Sequence, residues 1–207
     1  DRIVTVYTTT IAGVKMAREK MMKLLRGPKG SKVRLGIVRR GAAEQLYFVV
    51  ERDKIPVNTI DAAYMIAPQT GYIRLERFGA TSGKEIASAL DSLQKKGMKN
   101  LVFDLTMNGG GYLEAAFEIA NQFLNKDDLV VYTEGRAVPQ MRYTAEGGGK
   151  FTKGRLMVLV DEYSASASEI LSGAVQDHDR GTIIGRRTFG KGLVQRPIPL
   201  PDGSMIR

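Results

Sequence analysis

The chain has no cysteine, no tryptophan and a single histidine among 207 residues. Without cysteine there are no disulfides, no thiol nucleophile and no thiolate metal site, and the redox compartment stays undecided. The one histidine, His178, lies in Gln176-Asp177-His178-Asp179-Arg180, which reads as a charged helix end where histidine usually caps toward solvent. A serine–histidine relay therefore has little to draw on, and lysine becomes the expected base. No apolar run approaches the ~18–20 residues of a membrane helix, and Asp1-Arg2-Ile3 lacks the shape of a signal peptide. Any targeting segment is expected upstream.

What is present describes a globular chain, 43% hydrophobic with seven prolines, long enough for one full domain and part of another. Its net charge of +9 is uneven: residues 1–56 carry 13 Lys and Arg against 5 Asp and Glu, and the remainder 18 against 17. The basic residues are scattered, with only Tyr7, Tyr47 and Phe48 interleaved, so a solvated face is expected and no nucleic-acid partner.

Arg2–Tyr7 alternates with a period of two and reads as a strand. From Val14 the period becomes helical, with Val14, Ala17, Met21, Leu24 and Leu25 on one face and a stop at Arg26-Gly27-Pro28. Two further strands, 32–39 and 46–52, complete a small α+β unit. Residues 55–71 contain two prolines and no sustained period, which predicts a linker. A second unit opens with a strand at Tyr72–Leu75. Ser82 and Glu85 then form a capping box ahead of a helix buried through Ile86, Ala89, Leu90 and Leu93. Strands at 101–105, 129–133 and 156–160, and helices bearing Leu113, Ala116, Phe117, Ala120 and Phe123 and spanning 167–176, follow in alternation, so α/β layering is expected.

The stretch from Val158 to Gln195 concentrates the chemistry. Ser164, Ser166 and Ser168 stand at the mouth of a helix, where serine is commonly an N-cap. Each is also a candidate nucleophile if a neutral amine can take its proton. Lys191 returns between Gly190 and Gly192, and the following Leu193 and Val194, with Phe189 before it, predict an apolar surround. Asn108-Gly109-Gly110-Gly111 sits where a strand yields to a helix, a place where backbone N–H groups can hold an oxyanion. Gly185–Lys191 matches a phosphate loop, but Gly192 stands where Ser or Thr must bind magnesium, and Pro197, Pro199 and Pro201 exclude the required helix.

With these residues in hand, the chain resembles the carboxy-terminal processing peptidases, the tail-specific serine proteases of peptidase family S41. The resemblance rests on KLLRGPKGSKVRLGIVRR, GYIRL, DLxxNGGGYLEAA and, most specifically, SASASEI with TFGKGLVQ. It implies a crotonase-like protease core at 72–207, cut short at its C-terminus, behind the C-terminal half of a PDZ domain at 1–56 and a linker at 57–71. It also implies Ser166 as nucleophile, Lys191 as base and Gln195 orienting the lysine; in a strand, Lys191 and Gln195 would share a face. Oxyanion donors would be Ala167 and Gly109 or Gly110, with Asp177 in a supporting role. One departure is Thr106, where the family commonly has arginine, an exchange expected to loosen the glycine turn. No metal or organic cofactor is implied. The implied partners are proteins or peptides with exposed C-terminal tails, in the bacterial cell envelope, with room for membrane association through an upstream segment and for oligomers. A non-catalytic peptide- or ligand-binding protein on the same fold is the alternative.

Overall fold

The computed structural model describes residues 1–54, 58–195 and 197–206, and the chain divides into two compact units, Asp1–Val57 and Asn58–Arg207. The expected boundary at 56–57 lies outside the described residues.

In the first unit, β1 (Arg2–Val6), β2 (Thr9–Thr10), β3 (Lys32–Val38) and β4 (Leu46–Glu51) form an antiparallel sheet in the order β2-β1-β3-β4. Helix α1 (Arg18–Leu25) begins four residues later than the periodicity predicts: Ala17 is still extended (φ −62°, ψ 138°) and Val14 stays exposed. Met16, Met21, Leu24 and Leu25 pack on Val6, Ile11 and Val33. The Arg52 guanidinium donates to the carbonyls of Leu24 (3.1 Å) and Leu25 (2.7 Å), satisfying orphan acceptors at the helix end.

The second unit is built on a five-stranded mixed sheet in the order β11-β10-β7-β6-β5. Strands β6 (Thr70–Leu75), β7 (Asn100–Asp104), β10 (Arg155–Val160) and β11 (Thr182–Gly185) are parallel, and β5 (Ile60–Ala67) pairs antiparallel with β6. Strand β5 thus occupies most of the stretch read as a linker. Its period is broken by register shifts between Ile60 and Ala62 and between Met65 and Ala67, which erase the alternation a sequence reader looks for. Helices α2 (Ser82–Lys95), α3 (Leu113–Ala120) and α4 (Ala167–Asp177) close the core, while β8 (Leu129–Gly135) and β9 (Val138–Thr144) form a separate hairpin. A short ribbon of β12 (Ile198–Pro199) and β13 (Met205–Ile206) ends the chain.

The capping of α2 differs from the expected box. Thr81 takes the cap position and its Oγ1 donates to Glu85 Oε1 (2.6 Å), while Glu85 Oε2 reaches the Thr59 N–H (2.8 Å) and so ties the start of β5 to the helix. Ser82 is instead fully buried and accepts the Gly79 N–H. Ile86, Leu90 and Leu93 face the core as the sequence predicts, alongside Ile73, Leu75, Phe103 and Leu101. Phe123 meets Phe103 edge-on at 5.5 Å. Among the described residues no helix is long and apolar enough to cross a membrane.

Just past α4, Arg180 locks three loops together by donating to the carbonyls of Phe123 (2.8 Å), Phe151 (2.6 Å) and Gly154 (3.0 Å). Its removal leaves three partly enclosed acceptors without their charged donor. We expect Arg180→Ala to lower unfolding stability by about 1.5–3 kcal/mol, read as a lower urea midpoint at unchanged slope. Arg180→Lys should recover little of the loss, since an ammonium cannot reproduce the planar fork.

Candidate active site

The site forms at the carboxyl ends of the parallel strands, where crevices open in sheets of this kind. Leaving β7, Asp104 is buried and its Oδ1 accepts the Thr106 N–H (2.8 Å), while Oδ2 takes the Tyr72 hydroxyl. Burial, then the bond to and charge of Asp104, push the Tyr72 hydroxyl up to about 12. Met107 follows with φ +63°, a strained setting for a residue with a β-carbon, and its N–H is held by both oxygens of Asp161 at 3.0 Å. Burial alone would raise the Asp161 carboxyl, but bonds from Met107, Tyr163 and Ser164 outweigh it and hold it below the usual carboxylate range. Carboxylates thus hold the amides of Thr106 and Met107.

Asn108, with no exposed surface, is the hub of that turn. Its Nδ2 donates to Leu75 O (2.7 Å), its Oδ1 accepts the Gly110 N–H (2.9 Å), and its carbonyl accepts both the Ala165 N–H (3.1 Å) and Ser168 Oγ (2.9 Å). The result zips the glycine turn against the start of α4. Gly110, at φ +96°, lies so close that a β-carbon there would stand 2.6 Å from Ala165 O and 3.0 Å from both Ala167 N and Ser166 Cβ. Only glycine permits both the dihedral and the approach.

The three serines separate cleanly. Ser164 is buried, and its Oγ donates to Leu105 O (2.8 Å) while accepting the Asp161 N–H (2.9 Å), a bracket between strand ends. Ser168 is buried and spent on Asn108. Ser166 alone is not buried, and it sits on a sharp bend at φ +57°, ψ −109°. Such a conformation costs of order 1–3 kcal/mol and persists only where neighbours impose it.

The neighbour that imposes it is Glu169, whose only signal in the sequence is the capping-box spacing Ser166-x-x-Glu169. Its Oε2 accepts the Ser166 N–H and the Lys191 N–H, each at 2.8 Å, so one carboxylate oxygen joins the two backbones. Oε1 accepts Thr188 Oγ1 (2.8 Å) and the Gly190 N–H (2.6 Å). Burial pushes the Glu169 carboxyl up, but these four bonds outweigh it and keep it below its ordinary range. Phe189 N–H adds a bond to Ser164 O (3.0 Å).

Lys191 Nζ donates to Gln195 Oε1 at 3.0 Å. The strand expected to align them is absent: residues 190–195 are irregular, and Gly190 at φ +88° bends the chain so that a loop makes the contact. Nor do the neighbouring apolar residues enclose the lysine. Phe189, Leu193 and Val194 are 68%, 76% and 57% exposed, because no element of the described residues packs over them. Asp177 and His178 are not brought to Ser166, since the eleven residues of α4 carry them ~16 Å along the helix. There, Asp177 is exposed and His178 Nε2 bonds to Leu129 O (2.8 Å). The segment Gly185–Lys191 opens no helix. Among the described residues no cluster of three or more metal-binding side chains occurs.

With this geometry in view, comparison with known proteins is informative. The pattern of peptidase family S41 matches residues 69–207. The carboxyl-terminal-processing protease of Synechocystis is 40% identical over 185 residues, covering 88% of this chain and 43% of the relative. The carboxy-terminal processing protease CtpB of Bacillus subtilis is 35% identical over 209 residues, covering 100% and 43%. Among solved structures, a photosystem II D1 C-terminal processing protease superposes with a TM-score of 0.62 at 34% identity, over 98% of this chain and 55% of that one. The chain belongs to peptidase family S41. It spans less than half the length of these curated relatives.

The Glu169 tether gives a pH-dependent expectation with a definite sign. A carboxyl held below its ordinary value of 4.5 contributes fully above that value, and the contribution is lost as pH falls through the lower folded value. Glu169→Gln should therefore lower stability near neutral pH by about 1.5–3 kcal/mol and speed amide exchange at Gly190 and Lys191. Titrated from about pH 6 to pH 3, its stability should fall less steeply than that of the native chain. Parallel curves would remove the carboxylate as the tether.

Proposed function

We propose that this chain carries the catalytic site of a serine endopeptidase that cleaves proteins recognised by their C-terminal tails. The observation that carries the reading is the single Glu169 oxygen joining the backbones of Ser166 and Lys191, with Lys191 Nζ already bonded to Gln195. A half-buried hydroxyl on a strained bend and a lysine whose backbone is tied to the same carboxylate are parts from which an acyl-transfer site can be built.

In this mechanism the neutral amine of Lys191 takes the proton from Ser166 Oγ as the oxygen attacks the scissile carbonyl. Gln195 Oε1 accepts one amine hydrogen and so aims the nitrogen lone pair. The negative charge on the carbonyl oxygen falls to backbone N–H groups. Ala167 N–H is one of the orphan donors at the start of α4, and Gly109 N–H is the second. Gly110 N–H already serves Asn108, so its part is to allow the close approach. Lys191 then protonates the leaving amine, and water enters by the reverse route to release the acyl group from Ser166.

We further read the second unit as a crotonase-like core and the first as the C-terminal half of a PDZ domain. Three features support the latter: the α1 and β1–β4 arrangement, the unenclosed β4, on which Tyr47 and Val49 are 55% and 66% exposed, and the relatives' greater length. We extend the proposal to work on envelope proteins, with attachment to a membrane or self-association.

Single substitutions in the full-length protein test the roles. Ser166→Ala should reduce turnover of an unstructured protein by about 10⁴-fold or more. Ser164→Ala should instead destabilise by about 1–3 kcal/mol, having lost its strand bracket, while keeping most turnover at a temperature where it is folded. Lys191→Arg keeps the charge but cannot accept a proton, so it should be inactive at every pH. Normal turnover in Ser166→Ala or in Lys191→Arg would overturn the assignment.

A further inference from the structure

Beside the glycine turn lies an open cavity of about 290 Å³ lined by Arg74, Glu76, Arg77, Thr106 and Met107. Both of its walls are attached to the turn that abuts Ser166. On one side, Thr106 and Met107 lead directly into Asn108-Gly109-Gly110. On the other, Arg77 immediately precedes Phe78, whose N–H donates to Gly110 O (3.0 Å) and whose carbonyl accepts the Tyr112 N–H (2.9 Å). Met107 and Gly110 are three peptide units apart, so their Cα atoms lie within ~11 Å of each other. An extended polypeptide covers that span in about three to four residues. Anything bound in the cavity is thus a near neighbour, along a substrate chain, of the bond that Ser166 attacks.

The lining carries two guanidinium groups and one carboxylate, and Asp161 lies behind it with both oxygens committed to the Met107 N–H. Arg74 has a distant, exposed partner in Asp61 (3.8 Å), and Asp104 is buried and committed to Tyr72 and Thr106. Glu76 is the one carboxylate on the lining itself. The Arg77 guanidinium forms neither an ion pair nor a side-chain hydrogen bond among the described residues, although Arg77 O is anchored by Ser82 Oγ (3.2 Å). A held backbone thus carries an uncommitted fork of donors, the shape that pairs with a carboxylate at two points. Thr106 adds only a short polar side chain to the lining. Met107, 60% exposed, provides an apolar lip.

We propose that the Arg74–Arg77 cavity is a carboxylate-binding subsite, which selects polypeptides bearing a carboxylate about three to four residues from the scissile bond. The proposal rests on the peptidase reading above, and it names what that site prefers. The carboxylate has two sources, a free chain terminus or an Asp or Glu side chain, and the test separates them.

Three fluorogenic peptides of one sequence serve: one with a free terminal carboxylate and no acidic side chain, one amidated, and one amidated with a Glu about three residues from the cleaved bond. The full-length protein and its Arg77→Gln, Arg77→Glu and Arg142→Gln variants are compared, Arg142 lying on the separate β9. Because tail capture by the first unit would also favour a free terminus, the deciding quantity is the change caused by Arg77. We expect Arg77→Gln to cut the preference for one carboxylate peptide over the plain amide by about tenfold, through KM rather than kcat. Arg77→Glu should invert it, and Arg142→Gln should not change it. Dependence confined to the free-acid peptide assigns the terminus, and dependence confined to the Glu peptide assigns the side chain. Identical preferences in native and Arg77→Gln proteins overturn the subsite. Should no peptide be turned over, the peptidase reading fails by itself, and binding of the same peptides by fluorescence anisotropy decides the subsite by the same ratios.

Discussion

One carboxylate holds the candidate site together. Glu169 receives four donors, from Ser166, Thr188, Gly190 and Lys191, and these are the only ties the described residues give between the bend at Ser166 and the backbone of the lysine loop besides the bond from Phe189 to Ser164. A neutral side chain could not answer four N–H and O–H groups, because an amide offers one acceptor oxygen and would turn its own donors toward theirs. The charge therefore does structural duty. It compensates for a strained Ser166 and for a loop that has no strand partner, and it leaves the lysine's amine free to face Gln195.

Asn108 plays the matching part on the opposite wall. A buried asparagine is costly unless every polar atom is met, and here the side chain and carbonyl together engage Leu75, Gly110, Ala165 and Ser168. The glycine turn, the end of β6 and the start of α4 are thereby set in one frame. Asp104 and Asp161 complete it by holding the Thr106 and Met107 amides directly.

Much of this was legible in the sequence, and the parts that were not share a cause. The core helices and parallel strands announced themselves through period, as with Ile86, Leu90 and Leu93 on α2. The serine run, the glycine turn and Lys191 stood out because their residue types are restricted by chemistry. What escaped was whatever depends on partners distant in the chain. Strand β5 was hidden by two register shifts, and Glu169 looked like an ordinary first-turn acid until Gly190 and Lys191 arrived beside it. The contact of Lys191 with Gln195 was foreseen for the wrong reason, since a bent loop and not a strand delivers it. Asp177 could not be judged from spacing to Ser166 alone, because a helix carries its far end away from the residue at its start.

The bracket formed by Ser164 has a bearing on the order of events as the chain matures. Its hydroxyl spans 59 residues to Leu105, Asn108 reaches 33 back to Leu75, and Glu169 must wait for residues 21 and 22 further on. Contacts of such sequence separation are slow to form, because chain entropy is lost before they are made. A chain released as far as β10 would own neither the bend at Ser166 nor the loop that carries Lys191. The candidate site is thus missing from the unfolded chain, and it comes into being only with the last strand of the sheet and the loop behind it.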